Sequence, residues 1–280
     1  MKFIETQGVK VHFDSWGEGS PIFLIHGASS DMDVFQPTVI PLLKDRYQLN
    51  AYDRPGMGFT TQRPPRAETL AVQAKVAADV IGTMKLKKPI ILAHSYGGAV
   101  ALRLALDRPD LVAGMVLIAP LAYRWPGGVS WHLYWSANPM VGHLFNAAAQ
   151  PFTNAAARDG VKGTFFPHLA PDDYFEKAGV ARATTPIAMR ANGLDLMAAK
   201  REIAAQQDRY PEIKAPVGIL VGDGDTVVNP GNHSVRLTRA LPDVRMEMLP
   251  GVGHVPHEVE PGTLSELVDW VHMQAQSQGI

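Results

Sequence analysis

Pro89-Ile90-Ile91-Leu92-Ala93-His94-Ser95-Tyr96-Gly97-Gly98 is the stretch of this 280-residue chain from which its fold can be read. Its first five residues form an unbroken apolar run, the mark of a strand buried on both faces rather than one. Helical spacing follows from Ala99 to Leu106. A strand that reverses this sharply into a helix forces its apex residue, Ser95, into a strained backbone conformation and presses the helix against the strand. Small residues two positions before and two after the apex avoid a collision, and Ala93 and Gly97 meet that need. The strain is expected to hold the Ser95 hydroxyl above the sheet at a helix N-terminus, where developing negative charge is stabilised.

Outward from this turn the same grammar repeats. Ile22 to Ile25, Met115 to Ile118 and Pro216 to Val221 are further short apolar runs, and Leu70 to Leu86 carries helical spacing. Strands separated by helix-length segments imply βαβ crossovers and an α/β architecture. Lys2 to Thr6 and Val9 to Phe13, joined across Gln7-Gly8, read as an antiparallel hairpin at the sheet edge. The alternation stops between Leu121 and Tyr210, where short helix-like pieces are broken by Pro126, Pro139, Pro151, Pro167, Pro171 and Pro186. The expected organisation is an α/β core of residues 1–120 and 211–280, interrupted by a helical cap of residues 121–210.

A serine hydroxyl is a poor nucleophile until a base takes its proton, and the base needs a partner to orient it. Gly222-Asp223-Gly224-Asp225 follows the strand ending at Val221. Gly251-Val252-Gly253-His254 follows a strand from Arg245 to Leu249. Both lie at the carboxyl ends of strands, the rim where α/β sheets place their sites. Asp225, further out in its loop, is favoured over Asp223, whose alternative role is to shape a Gly-rich turn. His254, in a flexible Gly-rich loop, is favoured over His257, which begins the helix leading to Trp270. These two histidines have a spacing met in metal sites, but no third ligand accompanies them, so no zinc is expected. Donors for a tetrahedral oxyanion are expected from backbone N–H groups. Gly27 in His26-Gly27-Ala28-Ser29 lets the chain turn the Ala28 N–H towards the site, and Tyr96 supplies the second N–H. His26 is expected to hold this loop by hydrogen bonding, and Asp53 and Arg54 to fix neighbouring loops.

Twenty-six Lys and Arg balance 27 Asp and Glu, a net charge of −1 that argues against a nucleic-acid partner. With 46% apolar and 19% charged residues, the chain can bury a sizeable core. It has no cysteine, which excludes disulfides, thiolate catalysis and thiolate metal sites. The N-terminus lacks an apolar leader and no run approaches the length of a membrane span, so a cytoplasmic protein without membrane partners is expected. No dinucleotide fingerprint or P-loop is present. Twelve of the 22 aromatic residues fall within 121–210. Of these, Trp125, Trp131, Trp135 and Phe145, together with Met140, are expected to line an apolar cavity for a small-molecule substrate with an apolar or aromatic moiety.

Together and in this order, His26-Gly27, Asp53 to Gly58, the Ser95 turn, the Asp225 loop and Gly253-His254 resemble the α/β-hydrolase superfamily. The likeness is to its cap-bearing branch of esterases, lactonases, peroxidase-like hydrolases, dehalogenases and epoxide hydrolases. The resemblance implies a mostly parallel eight-stranded sheet, a helical cap, Ser95, His254 and Asp225 as a triad, and no cofactor. Ser95 at the apex departs from the aspartate of the family's dehalogenases and epoxide hydrolases. His94 and Val255 stand where carbon–carbon bond hydrolases usually show Asn and Trp. The expected activity is hydrolysis of a carboxylic ester or related acyl compound. Carbon–carbon hydrolysis, lactone opening and perhydrolysis are alternatives with the same triad, and ligand binding on the same scaffold is a further one.

Overall fold

The computed structural model describes residues 1–279. Eight strands form one sheet: β1 (Lys2–Thr6), β2 (Val9–Trp16), β3 (Ser20–Ile25), β4 (Tyr47–Tyr52), β5 (Ile90–His94), β6 (Gly114–Ile118), β7 (Val217–Gly222) and β8 (Val244–Leu249). Their spatial order is β1-β2-β4-β3-β5-β6-β7-β8. β2 pairs antiparallel with both β1 and β4, and all other neighbours are parallel. The fold is thus the α/β-hydrolase architecture, a mostly parallel sheet flanked by helices.

The unbroken apolar runs follow from burial on two sides. Successive side chains of a strand point to opposite faces. Phe23, Ile25, Ile91, Ala93, Met115, Leu117, Val217 and Ile219 pack into one core with the helices Leu70–Thr83 and Tyr96–Asp107. The alternate residues Ile22, Leu24, Ile90, Leu92, Val116, Ile118 and Leu220 pack into a second core with Val39–Leu43 and Pro261–Ser277. Both faces are apolar along Ile22–Ile25, Ile90–Ala93, Met115–Ile118 and Val217–Val221, so period-2 alternation is invisible in these strands. Burying a Leu, Ile or Phe side chain contributes about 1.5–3 kcal/mol.

Among the described residues no strand lies between β6 and β7. The chain there forms the helices Trp131–Ala137, Gly142–Phe165, Tyr174–Lys177, Val180–Ala183 and Pro186–Gln206. Two of them are longer than the spacing of prolines predicts. Pro186 opens its helix at the first position, where its missing N–H costs nothing. Pro151 sits inside the 24-residue helix Gly142–Phe165, and Ala147, whose carbonyl loses its partner there, is exposed to water. No helix among the described residues is long and apolar enough to cross a membrane.

Candidate active site

Ser95 directly follows β5 and has φ 54° and ψ −119°, outside the comfortable regions for an L residue. The turn is locked from both sides. The Ser95 N–H donates to the Ile118 carbonyl of β6 at 2.9 Å, and the Ser95 carbonyl accepts from the N–H groups of Gly98 (2.9 Å) and Leu121 (3.0 Å). A Cβ at Gly97 would lie 2.3 Å from the Ile25 carbonyl oxygen, so only glycine lets the helix start this close to the end of β3.

Asp225 and His254 reach Ser95 from the neighbouring loops of β7 and β8. The Ser95 Oγ lies 3.0 Å from His254 Nε2, and His254 Nδ1 lies 2.7 Å from Asp225 Oδ2. Gly222 makes this possible: a Cβ there would fall 2.0 Å from the Val252 carbonyl oxygen, so the loop carrying His254 can cross directly over the end of β7. Burial pushes the Asp225 carboxyl pKa up, but the hydrogen bond from His254, its charge and the N–H groups of Val228 and Val227 more than offset this and hold it below the usual value. An ionised Asp225 can only accept, which places the shared proton on His254 Nδ1 and leaves Nε2 free to take the Ser95 hydroxyl proton. Of the alternatives weighed in the sequence, Asp223 accepts from the Gly251 N–H at 2.6 Å and so closes a turn. His257 is fully buried and neither of its ring nitrogens has a hydrogen-bond partner.

The loop after β3 borders the same serine. A Cβ at Gly27 would stand 3.2 Å from Ser95 Cβ. The next residue, Ala28, and Tyr96 on the other side have N–H groups that donate to no other group among the described residues. His26 Nε2 accepts from the Arg54 N–H at 2.9 Å, and its Nδ1–H donates to the Gly27 carbonyl at 2.9 Å. Burial, with the nearby Arg54 charge second, brings the His26 pKa down to about 3, so the ring is a neutral strut. Asp53 likewise braces loops, accepting from His12 Nδ1 at 2.8 Å and from the N–H groups of Met32 and Phe59.

A family model described as the alpha/beta hydrolase family matches residues 22–267, which include every element of this constellation. The chain belongs to that family. One relative, named the magnesium-chelatase 30 kDa subunit of Rhodobacter capsulatus, is 29% identical over 91% of this chain and 87% of its own. Another, the 2-hydroxy-6-oxononadienedioate/2-hydroxy-6-oxononatrienedioate hydrolase of Comamonas testosteroni, is 23% identical over 88% and 85%. A solved thermophilic esterase from Thermogutta terrifontis superposes with a TM-score of 0.78 at 19% identity, covering 98% of this chain and 99% of its own.

Within this α/β-hydrolase the expected cavity lining is rearranged. Trp131, Trp135 and Met140 are 70%, 44% and 88% exposed and are not enclosed by the rest of the chain. For the two tryptophans the reason lies in how the helix Trp131–Ala137 is seated, whereas Met140 stands in the turn before the helix Gly142–Phe165. Gly193 comes within contact of the Leu133 carbonyl and Ala137, and the Ser136 hydroxyl donates to the Met189 carbonyl at 2.8 Å. Small residues occupy the inner face and the aromatic ones turn outward. Phe145 is half-buried, edge-on to Trp131 at 6.2 Å, while Trp125 packs towards the core with its ring 6.4 Å from His233.

Several residues at the site carry no motif that marks them in the sequence. His94 Nε2 donates to the His254 carbonyl at 3.1 Å, while the His254 N–H donates to the carbonyl of Thr164 in the cap at 2.9 Å. His254 is therefore gripped on both sides of its backbone. Burial lowers the His94 pKa to about 3, with the neighbouring His254 a second cause. Behind it, Glu258 accepts from the Thr38 hydroxyl at 2.5 Å, and burial raises its carboxyl to about 7 despite that bond. Asn192 and Asp195 of the cap meet the loops after β3 and β4. Their only sequence signal is a spacing of three on one helix, which places both on one face.

Proposed function

We propose that the protein is a serine hydrolase that cleaves carboxylic esters or related acyl compounds bearing an apolar or aromatic moiety. The observation that carries this reading is the unbroken chain from Ser95 Oγ through His254 to Asp225, at 3.0 and 2.7 Å. His254 Nε2 takes the hydroxyl proton as Ser95 Oγ attacks the carbonyl carbon. The N–H groups of Ala28 and Tyr96 hold the oxyanion, each such donor typically being worth about 3–4 kcal/mol. His254 passes its proton to the leaving alcohol as the carbon–oxygen bond breaks, leaving the acyl group on Ser95. A water, deprotonated by His254, then releases the acid and returns the proton to Ser95 Oγ. Asp225 holds the imidazole in the tautomer that both halves require.

A second reading, hydrolysis of a carbon–carbon bond with the same residues, draws on the similarity to the Comamonas testosteroni hydrolase. Product analysis over a panel of esters, lactones and ring-fission products separates the two. The common requirement is tested with a fluorophosphonate: the expected result is mass-spectrometric labelling of Ser95, and loss of turnover of short p-nitrophenyl esters in Ser95→Ala with an unchanged melting temperature. An unlabelled but folded protein, or full activity in Ser95→Ala, overturns the proposal.

A further inference from the structure

Ser29, next to Ala28, has φ 51°, a left-handed conformation that an L residue seldom holds without support. Its N–H donates at 2.9 Å to Oδ1 of Asn192, on the cap helix Pro186–Gln206. Asn192 is nearly buried, which shields this bond from competing water. Because its partner is an N–H, the carboxamide must present its oxygen to the loop.

Three residues further along the same helix face, the buried Asp195 takes Arg54 Nη1 at 2.9 Å. Arg54 in turn donates from Nε to the His26 carbonyl at 3.2 Å and from Nη2 to the Gly27 carbonyl at 2.8 Å. Its guanidinium lies 4.6 Å over the ring of Tyr96. One helix of the cap thus grips residues 26–29 directly through Asn192 and indirectly through Arg54, while Gly27 rests against Ser95 on the inner side. A donor displaced by about 1 Å from its line to the tetrahedral oxygen loses most of its effect.

From this we infer that Asn192 is a positioning residue: by holding the Ser29 N–H it fixes the Ala28 N–H towards the oxygen of the tetrahedral intermediate. The oxyanion site is then complete only while the cap helix is seated on the loop after β3. This rests on the hydrolytic reading of Ser95, and the two are tested by different readouts.

Asn192→Leu keeps the side-chain volume and removes the acceptor. Relative to wild type, amide exchange at Ser29 should become at least about tenfold faster, followed by NMR or by mass spectrometry of peptides spanning the loop. The kcat for short p-nitrophenyl esters should fall about 10- to 100-fold with KM within about twofold, because the lost interaction serves the transition state. Asn192→Asp, which retains an acceptor oxygen at the same reach, should restore slow exchange. If the leucine variant does not fold, Asn192→Ser, whose hydroxyl falls short of Ser29, carries the same expectation. Exchange and kcat both within twofold of wild type would overturn the inference, as would a loss of kcat without faster exchange. A wild-type protein that no fluorophosphonate labels would sink the hydrolytic reading, and the exchange comparison would still decide whether Asn192 holds the loop.

Discussion

The loops at the carboxyl ends of β3, β4, β5, β7 and β8 carry His26, Asp53, Arg54, Ser95, Asp225 and His254, all but Ser95 nearly or fully buried. The cap, by contrast, has no Asp, Glu, Lys or Arg from Trp125 to Ala157 and presents Trp131, Tyr134, Met140, Leu144 and Phe152 to solvent. The rim concentrates polarity where water is excluded, so the hydrogen bonds of these six residues are strong. The cap meets the rim at a few polar points: Asn192 on Ser29, Asp195 on Arg54 and Arg63, Thr164 on His254, and Arg182 on Asp31 and Asp33. The rim residues are therefore placed by the loops of the sheet, and the cap meets them through a small number of separable contacts.

The largest effect should come from within the rim. Asp225→Asn keeps the shape of the side chain but can present an N–H₂ to His254 Nδ1, which favours the wrong imidazole tautomer. A loss of about 10,000-fold in kcat for a p-nitrophenyl ester is expected, with near-native melting. A loss under tenfold would mean that the orientation of His254 is set mainly by the two backbone bonds from His94 and Thr164.

Next comes the joint between the regions. Asp195 receives Arg54 and Arg63 at 2.9 and 2.7 Å, and both Asp195 and Arg54 are fully buried. Asp195→Ala leaves a buried guanidinium without its counter-charge, which should cost about 3–5 kcal/mol in urea unfolding. A cost near zero would show that the cap helix can lift and admit water to Arg54.

A third change probes the rim's burial without touching the triad. The Glu258 carboxyl, raised to about 7 in the fold, has its ordinary value when unfolded. Its contribution to stability is therefore fully present below about pH 4.5 and is lost as pH rises through about 7. Glu258→Gln keeps an acceptor for Thr38 and cannot ionise. The variant should gain on wild type by an amount on the order of 2 kcal/mol between pH 5 and pH 9, read as a widening difference in melting temperature. A constant difference across that range would mean that water reaches the carboxylate.

The sheet, the elbow and the order serine, acid, histidine were legible because each is written in adjacent residues: a buried strand is an apolar run, and a tight turn shows its small residues. Loop position favours Asp225 over Asp223, and the two are placed differently: Asp225 meets His254 Nδ1, while Asp223 closes a turn on the Gly251 N–H. Asn192, Asp195 and Thr164 were not legible, since their partners lie 163, 141 and 90 residues away and nothing local marks an amide or carboxylate as a tether. Which of the aromatic cap residues face inward was not legible for a related reason. Composition reports how much apolar surface a segment has, but not which side of a helix faces inward.

That last distinction yields the smallest expected effect. Met140 is 88% exposed, so Met140→Ser removes little buried area and should change stability by under about 0.5 kcal/mol. If the residue is outer surface, kcat/KM across esters of increasing acyl length should change by less than about twofold at every length, because no substrate carbon rests on it. A pocket wall behaves differently: each substrate methylene that loses its contact forfeits about 0.8 kcal/mol, so the deficit would grow with chain length. A flat profile for Met140→Ser beside a sloping one for Trp125→Ala would divide the cap between an outer skin and an inner lining. A sloping profile for both would mean that the turn carrying Met140 closes over the substrate during turnover and that its exposure belongs to the free protein alone.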